Sequence, residues 1–455
     1  MTGARRAESE AHAERAAAVE RERTAGPTNR AARRDFRWYW LGQTASVMGH
    51  QVAIFLFPTT AIVLFHASDL GVGLLNAAGT APYPVLALFA GVVMDRRRRR
   101  PAMMLATVGT MLALAAIPLA AAAGALGMAQ LCAAALVAGS FGVLYDVANQ
   151  SHLPTLLPRD MLPRANARLE VSTSLAMLGA PALGGLLGQF LSGTTALAVI
   201  AATFVVPVVT LMSLRTPEPP APPRQPGASM FAEMREGVVA LWRHPLLRPA
   251  TVAAVVRNLG NAAASTVSLL FAYRTLGLPP GTVGVLFTLV GLGGVGGAWM
   301  ADRLLARFGL GTTLVAACAS GAVWAAAPLA LWLPAVPTLV VVGASASVWV
   351  PVWNATITTL RQSVTRPDLL GRVHATSRTV NFCAMPLGAL LGGVAADVLG
   401  GAVGPEAGTG WALVLTGLAS VAAAVVLFRS ELRSVRAIPG AEGAAGTVVA
   451  ARAAD

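Results

Sequence analysis

The chain has 455 residues, 55% of them hydrophobic and only 12% charged, with a formal net charge of +13. Ordinary soluble domains carry about 25% charged residues, so water is not the main solvent of most of this chain. All 34 basic residues are Arg, and without Lys there is no GxxxxGK[ST] phosphate loop and no Schiff-base lysine, which argues against ATP hydrolysis within the chain and against pyridoxal chemistry.

In chain order, residues 1–34 are rich in Ala, Arg and Glu and lack the apolar core of a signal peptide, so they read as a disordered cytosolic tail. Apolar runs of roughly 20 residues, the length that crosses a hydrocarbon core of ~30 Å, then lie near 37–65, 71–94, 102–124, 128–149, 170–191 and 194–214. A linker over 215–248 opens with the stiff segment PEPPAPPRQP and closes with a surface helix predicted near 229–244. Six more runs follow near 249–273, 281–301, 310–332, 336–358, 376–399 and 409–428, and residues 429–455 form a second cytosolic tail. The pattern predicts an all-α membrane protein of twelve transmembrane helices, with one six-helix bundle over 35–214 and another over 249–428.

The arginines set the expected orientation. Alternate loops hold Arg96 to Arg100, Arg159, Arg164 and Arg168, the linker arginines, Arg303 and Arg307, and Arg361, Arg366, Arg372 and Arg378, whereas the opposite loops hold only Arg274. Positive charge is retained on the cytoplasmic side, which predicts that both termini are cytoplasmic and accounts for the net charge without nucleic acid. Cys132, Cys318 and Cys383 each fall in an apolar run with no paired spacing and read as small packing residues.

The halves repeat. Asp95-Arg96 recurs as Asp302-Arg303 at a shift of 207, and Leu162, Arg164, Gly184 and Gly185 recur as Leu370, Arg372, Gly392 and Gly393 at a shift of 208. Transporters with such parallel repeats place their substrate path between the halves, near the bilayer midplane.

Ionisable groups inside spans are expensive in lipid and mark functional sites. Gln43, Ser46 and His50 share one face of the first span, and His50 reads either as a proton carrier or as a neutral imidazole hydrogen-bonded between helices. Arg257 and Asn261, with Ser265 and Ser268, share a face of the seventh span; the Arg would bind an anionic substrate or pair with an acid. Asp146 and Glu170 lie at inner helix ends and are the other proton-coupling candidates. The segment from Gly291 to Gly296 satisfies GxGxxG but has no strand before it, so it reads as helix packing.

Several segments together resemble the major facilitator superfamily, in its drug:proton antiporter branch with macrolide-efflux and enterobactin-exporter proteins. Gly91 to Arg100 is similar to the GxxxD[RK]xG[RK][RK] loop between helices two and three, with Arg98 where the pattern has Gly. FRWYWLGQTASVMGH resembles the first helix, LPTLLPRDMLPRANARLE the fourth-to-fifth loop and TLRQSVTRPDLLGRVHATSR the tenth-to-eleventh loop. The branch commonly carries Asp after the first-helix Gly, and here Gly49 is followed by His50.

The resemblance implies that Asp95 latches the inner ends of helices two and eleven, near Ala375 to Arg378, with Arg96 and Arg99 completing a charge relay to Asp146; positive-inside topology alone is the alternative for the arginines. Gly179, Pro181, Gly184 and Gly185 resemble the fifth-helix antiporter motif, and Pro386 and Gly388 sit in a similar segment of helix eleven; both read as packing and hinge elements. The implied function is export of hydrophobic or amphipathic drugs or secondary metabolites by proton antiport, contributing to antibiotic resistance. Export of a siderophore or other anionic metabolite and a non-transporting receptor are the alternatives. No enzyme activity, cofactor or metal is expected; the expected partners are a small-molecule substrate, protons and the bilayer, for a monomer in the bacterial cytoplasmic membrane.

Overall fold

The computed structural model describes residues 29–86, 98–216, 230–366 and 369–435, and these residues are helical apart from short connections. The first six crossings are α1 (Asn29–Phe65), α2 (Asp69–Thr80), α3 (Arg99–Ala122), α4 (Met128–Leu156), α5 (Leu162–Phe190) and the consecutive pair α6 (Gly193–Thr203) and α7 (Val205–Met212). A surface helix, α8 (Met230–Arg243), precedes the second six. Those are α9 (Leu247–Leu270), α10 (Pro280–Phe308), α11 (Leu310–Ala319) with a tighter 3-10 continuation over Ser320–Leu331, the pair α12 (Ala335–Ser347) and α13 (Trp349–Val364), α14 (Leu370–Val403) and α15 (Pro405–Phe428).

Prolines place two of the breaks. A proline ring clashes with the carbonyl four residues earlier and offers no N–H to it. Pro207 and Pro351 lie four residues after Thr203 and Ser347, the last residues of α6 and α12. Each pair still advances as one crossing because only one residue, Phe204 or Val348, separates its halves, and both keep right-handed helical dihedrals.

Ten helical segments are long and apolar enough to cross a bilayer. The remaining two crossings differ for physical reasons. Only 12 residues of α2 fall in the described part of its span. α9 carries Arg257, Asn258 and Asn261 and is enclosed by protein along most of its length, so it needs less apolar surface. Elsewhere large apolar side chains point outward: Leu119, Phe190, Trp299 and Trp332 are each at least 70% exposed, as a lipid-facing surface requires.

The helices form two six-helix bundles. In the first, α1 packs on α5, α6 and α7, and α4 packs on α2 and α3; in the second, α9 packs on α14 and α15, and α10 on α12 and α13. The bundles meet along α2 with α14 and along α5 with α10. Both seams need glycine, because a Cβ on Gly73 would lie 2.9 Å from the Gly393 Cα, and one on Gly185 would lie 2.8 Å from the Gly284 Cα. α8 lies against α14, where Glu236 pairs with Arg372.

The two ends of this assembly differ. On the face opposite Asn29 and Val435, where the described residues begin and end, the distal face, Asp69 at the start of α2 pairs with Arg274 just beyond α9. Below that pair, the Thr59 and Tyr273 hydroxyls are 3.2 Å apart, Asn76 Nδ2 donates to Thr266 Oγ1 at 3.1 Å, and Gly281 N–H donates to Gln189 Oε1 at 2.9 Å. Each of these contacts joins one bundle to the other. Toward the terminal face a cavity of about 570 Å³ lies between the bundles.

Candidate functional site

The polar stripe of α1 faces α4 inside the first bundle rather than the cavity itself. Gln43 and Ser46 are buried against α4, where the Tyr145 hydroxyl donates to Gln43 Oε1 at 2.6 Å. His50, two turns above Gln43, has its imidazole over Gly142 of α4; a Cβ there would come within 2.9 Å of His50 Cε1. One turn further along α4 is Asp146, within electrostatic reach of His50. An imidazole and a carboxylate on neighbouring helices form a pair that can share, take up or release a proton.

That pair is wired across the bundle boundary. The Tyr83 hydroxyl, just beyond α2, donates to Asp146 Oδ2 at 3.3 Å and accepts from Arg378 Nη2 of α14 at 2.9 Å. The Tyr83 ring stacks on Phe382 with centroids 4.1 Å apart, and the Arg378 guanidinium lies 5.8 Å and 5.6 Å from the two rings. A hydrogen-bonded path therefore runs from Asp146 of α4 through Tyr83 to Arg378 of α14 in the opposite bundle, with His50 of α1 within electrostatic reach of its first member.

Beside this path the cavity wall carries Arg361, His374 and Arg378, with Gln150, Thr358 and Gln362, and no carboxylate among the described lining residues. Arg257 is placed elsewhere. It is 5% exposed inside the second bundle, where its Nε reaches the Ala317 carbonyl at 3.4 Å and its guanidinium lies 5.2 Å from the Trp353 ring. Asn261 is half-buried one turn further along α9. Glu170 is exposed on α5, and Arg99 is the first residue of α3. Asp95 and Arg96 lie outside the described residues.

The expected packing elements fall on helix contacts in most cases. Gly184 faces Phe55 of α1 with room for no Cβ (2.9 Å), and Gly185 faces Gly284. Next to Pro181, the Ala182 N–H donates to Thr288 Oγ1 of α10 at 3.1 Å. Gly388, two residues past Pro386, would place a Cβ 2.9 Å from the Leu259 Cα of α9, whereas Gly179 faces open space.

Several participants carry no sequence signal of their own. Tyr83 and Tyr145 are ordinary aromatics within apolar runs, and Arg361 and Arg378 are indistinguishable by sequence from loop arginines that set topology. Arg274 did carry one, as the lone arginine of the distal loops, but nothing in the sequence ties it to Asp69.

Two six-helix bundles joined along one end, with a polar cavity between them, have the architecture of membrane transporters built from parallel repeats. Residues 39–389 match the Major Facilitator Superfamily, and the chain belongs to that superfamily. It is 28% identical over 365 residues to the multidrug efflux pump Tap of Mycolicibacterium fortuitum, covering 77% of this chain and 87% of that protein. Among solved structures, a bacterial homologue of the iron transporter ferroportin in its inward-facing state superposes with a TM-score of 0.70 at 15% identity, covering 87% of this chain and 98% of that one. The outward-facing state of such a homologue, at the same identity and coverage, gives 0.56. The nucleoside transporter NupG superposes with a TM-score of 0.69 at 12% identity, over 86% of this chain and 99% of that one.

Proposed function

We propose that the protein exports hydrophobic or amphipathic small molecules by proton antiport, from a bacterial cytoplasmic membrane, with the terminal face and its open cavity toward the cytosol. The observation that carries this reading is the path His50–Asp146–Tyr83–Arg378, which joins a titratable pair in one bundle to a cation in the other. As an anion, Asp146 accepts from Tyr83 and attracts Arg378 across the boundary; as an acid, it loses that attraction. Proton binding thus biases the arrangement of the bundles by its differential affinity for their two states, and a substrate in the adjoining cavity biases it in the same currency. The likeness to a protein named as a multidrug efflux pump supports the substrate class.

The test uses everted vesicles holding an imposed proton gradient, with lumenal pH followed by a dye as hydrophobic drugs are added one at a time. Drug-triggered proton release is expected from the unaltered protein and is expected to vanish in Asp146→Asn, while drug binding to the purified variant persists. A full response from both Asp146→Asn and His50→Gln would remove this pair from the coupling mechanism.

A further inference from the structure

Arg361 stands out among the cavity residues. It is 8% exposed, it lines the cavity from α13, and among the described residues neither a carboxylate nor a hydrogen-bond acceptor meets its guanidinium. An arginine cannot shed its proton at accessible pH, and a buried unpaired charge is costly. The neighbouring groups do not relieve it: His374 of α14 lies within electrostatic reach of both Arg361 and Arg378, and Arg378 is already engaged with Tyr83 and, through it, Asp146. Among the described residues the wall therefore carries cations and no carboxylate to balance them. Around it lie apolar surfaces, Phe382 and Val147, and a cavity of about 570 Å³, within the size range of sites for drug-sized ligands.

Resting on the exporter reading above, and naming its substrate class, we propose that this cavity binds an amphipathic organic anion whose carboxylate or sulfonate is held by Arg361. The planar guanidinium suits such a group because it offers two parallel donors to two acceptor oxygens. His374 and Arg378 add to the positive field, and the apolar body of the ligand packs on Phe382 and Val147. Arg257 takes no part, since its guanidinium is held inside the second bundle by Ala317 and Trp353.

Equilibrium dialysis of the purified, detergent-solubilised full chain against radiolabelled 1-naphthylacetate and its uncharged amide tests the assignment. The anion is expected to bind about tenfold more tightly than the amide, in line with a charge-assisted bidentate contact. Arg361→Gln is expected to abolish that preference and Arg361→Lys to keep part of it, which shows that the altered site still folds. Equal binding of the two ligands, no binding of the anion at millimolar concentration, or a preference that survives Arg361→Gln would each overturn the proposal. So would a preference that appears only in Asp95→Asn, because the cavity cations would then belong to the chain's own loop carboxylate. Dialysis needs no proton gradient, so its failure leaves the vesicle result, and the exporter reading, standing or falling separately.

Discussion

Asp35 shows what a single side chain contributes here. It is fully buried in the second turn of α1, and its carboxylate accepts from the backbone N–H of Arg215 and of Thr216 at 2.9 and 2.8 Å and from the Thr216 hydroxyl at 2.7 Å, while Arg34 pairs with its other oxygen at 2.8 Å. It ties the end of the first bundle to its beginning. Asp35→Ala strands buried donors, which costs about 1–3 kcal/mol; a lowered Tm in detergent, with a smaller loss for Asp35→Asn, is the expected outcome, and an unchanged Tm would refute it. In sequence, Asp35 is one charge beside the basic tail with nothing to mark it, because its partners Arg215 and Thr216 lie 180 and 181 residues away. Arg257 and Arg361 make the same point in reverse. The first is conspicuous within an apolar run and the second reads as a loop arginine, yet only the second opens onto the cavity.

At the scale of helices, the distal closure rests on two kinds of contact with different consequences. The glycine seams set how closely α5 approaches α10 and α2 approaches α14. Gly185→Leu drives a branched side chain into the Gly284 backbone, and overpacking of this kind typically costs about 1–3 kcal/mol. The expected readout is a lower Tm together with easier labelling, from the distal face, of a cysteine placed at Asn76; neither change appearing would show that the seam can relax. The Asp69–Arg274 pair is partly open to solvent, with the Arg274 side chain 30% exposed, so it is worth roughly 1 kcal/mol, or about a fivefold change in the population of the distal-closed state. Asp69→Asn is expected to raise maleimide labelling at the same cysteine by about that factor, and unaltered labelling would remove the pair from the gate. Apolar run lengths made the helices legible, and the proline positions mark the α6–α7 and α12–α13 breaks. Which helices form the seams was not legible, because glycines are scattered through most spans and only packing selects Gly73, Gly185, Gly284 and Gly393.

For the molecule as a whole, the arginine asymmetry and the two-bundle fold make one joint prediction about orientation. A cysteine at Ala335, the first residue of α12 on the distal face, is expected to react with an impermeant maleimide in intact cells, and one at Gln362, on the cavity wall, only after permeabilisation. The reverse pattern would invert the topology and turn the exporter reading into an importer. The twelve crossings, the duplicated halves and the expected sidedness are all present in the sequence by itself, because hydrophobic length and arginine placement are local and additive: each span and each loop can be read without knowing its neighbours. The tertiary structure alone decided which polar groups meet. His50 finds Gly142 and Asp146, Tyr83 bridges Asp146 across 63 residues and Arg378 across 295, and Asp69 finds Arg274. Helical periodicity assigns a residue to a face of its own helix, but the neighbour that face meets is set by how twelve helices pack, and that depends on all of them at once.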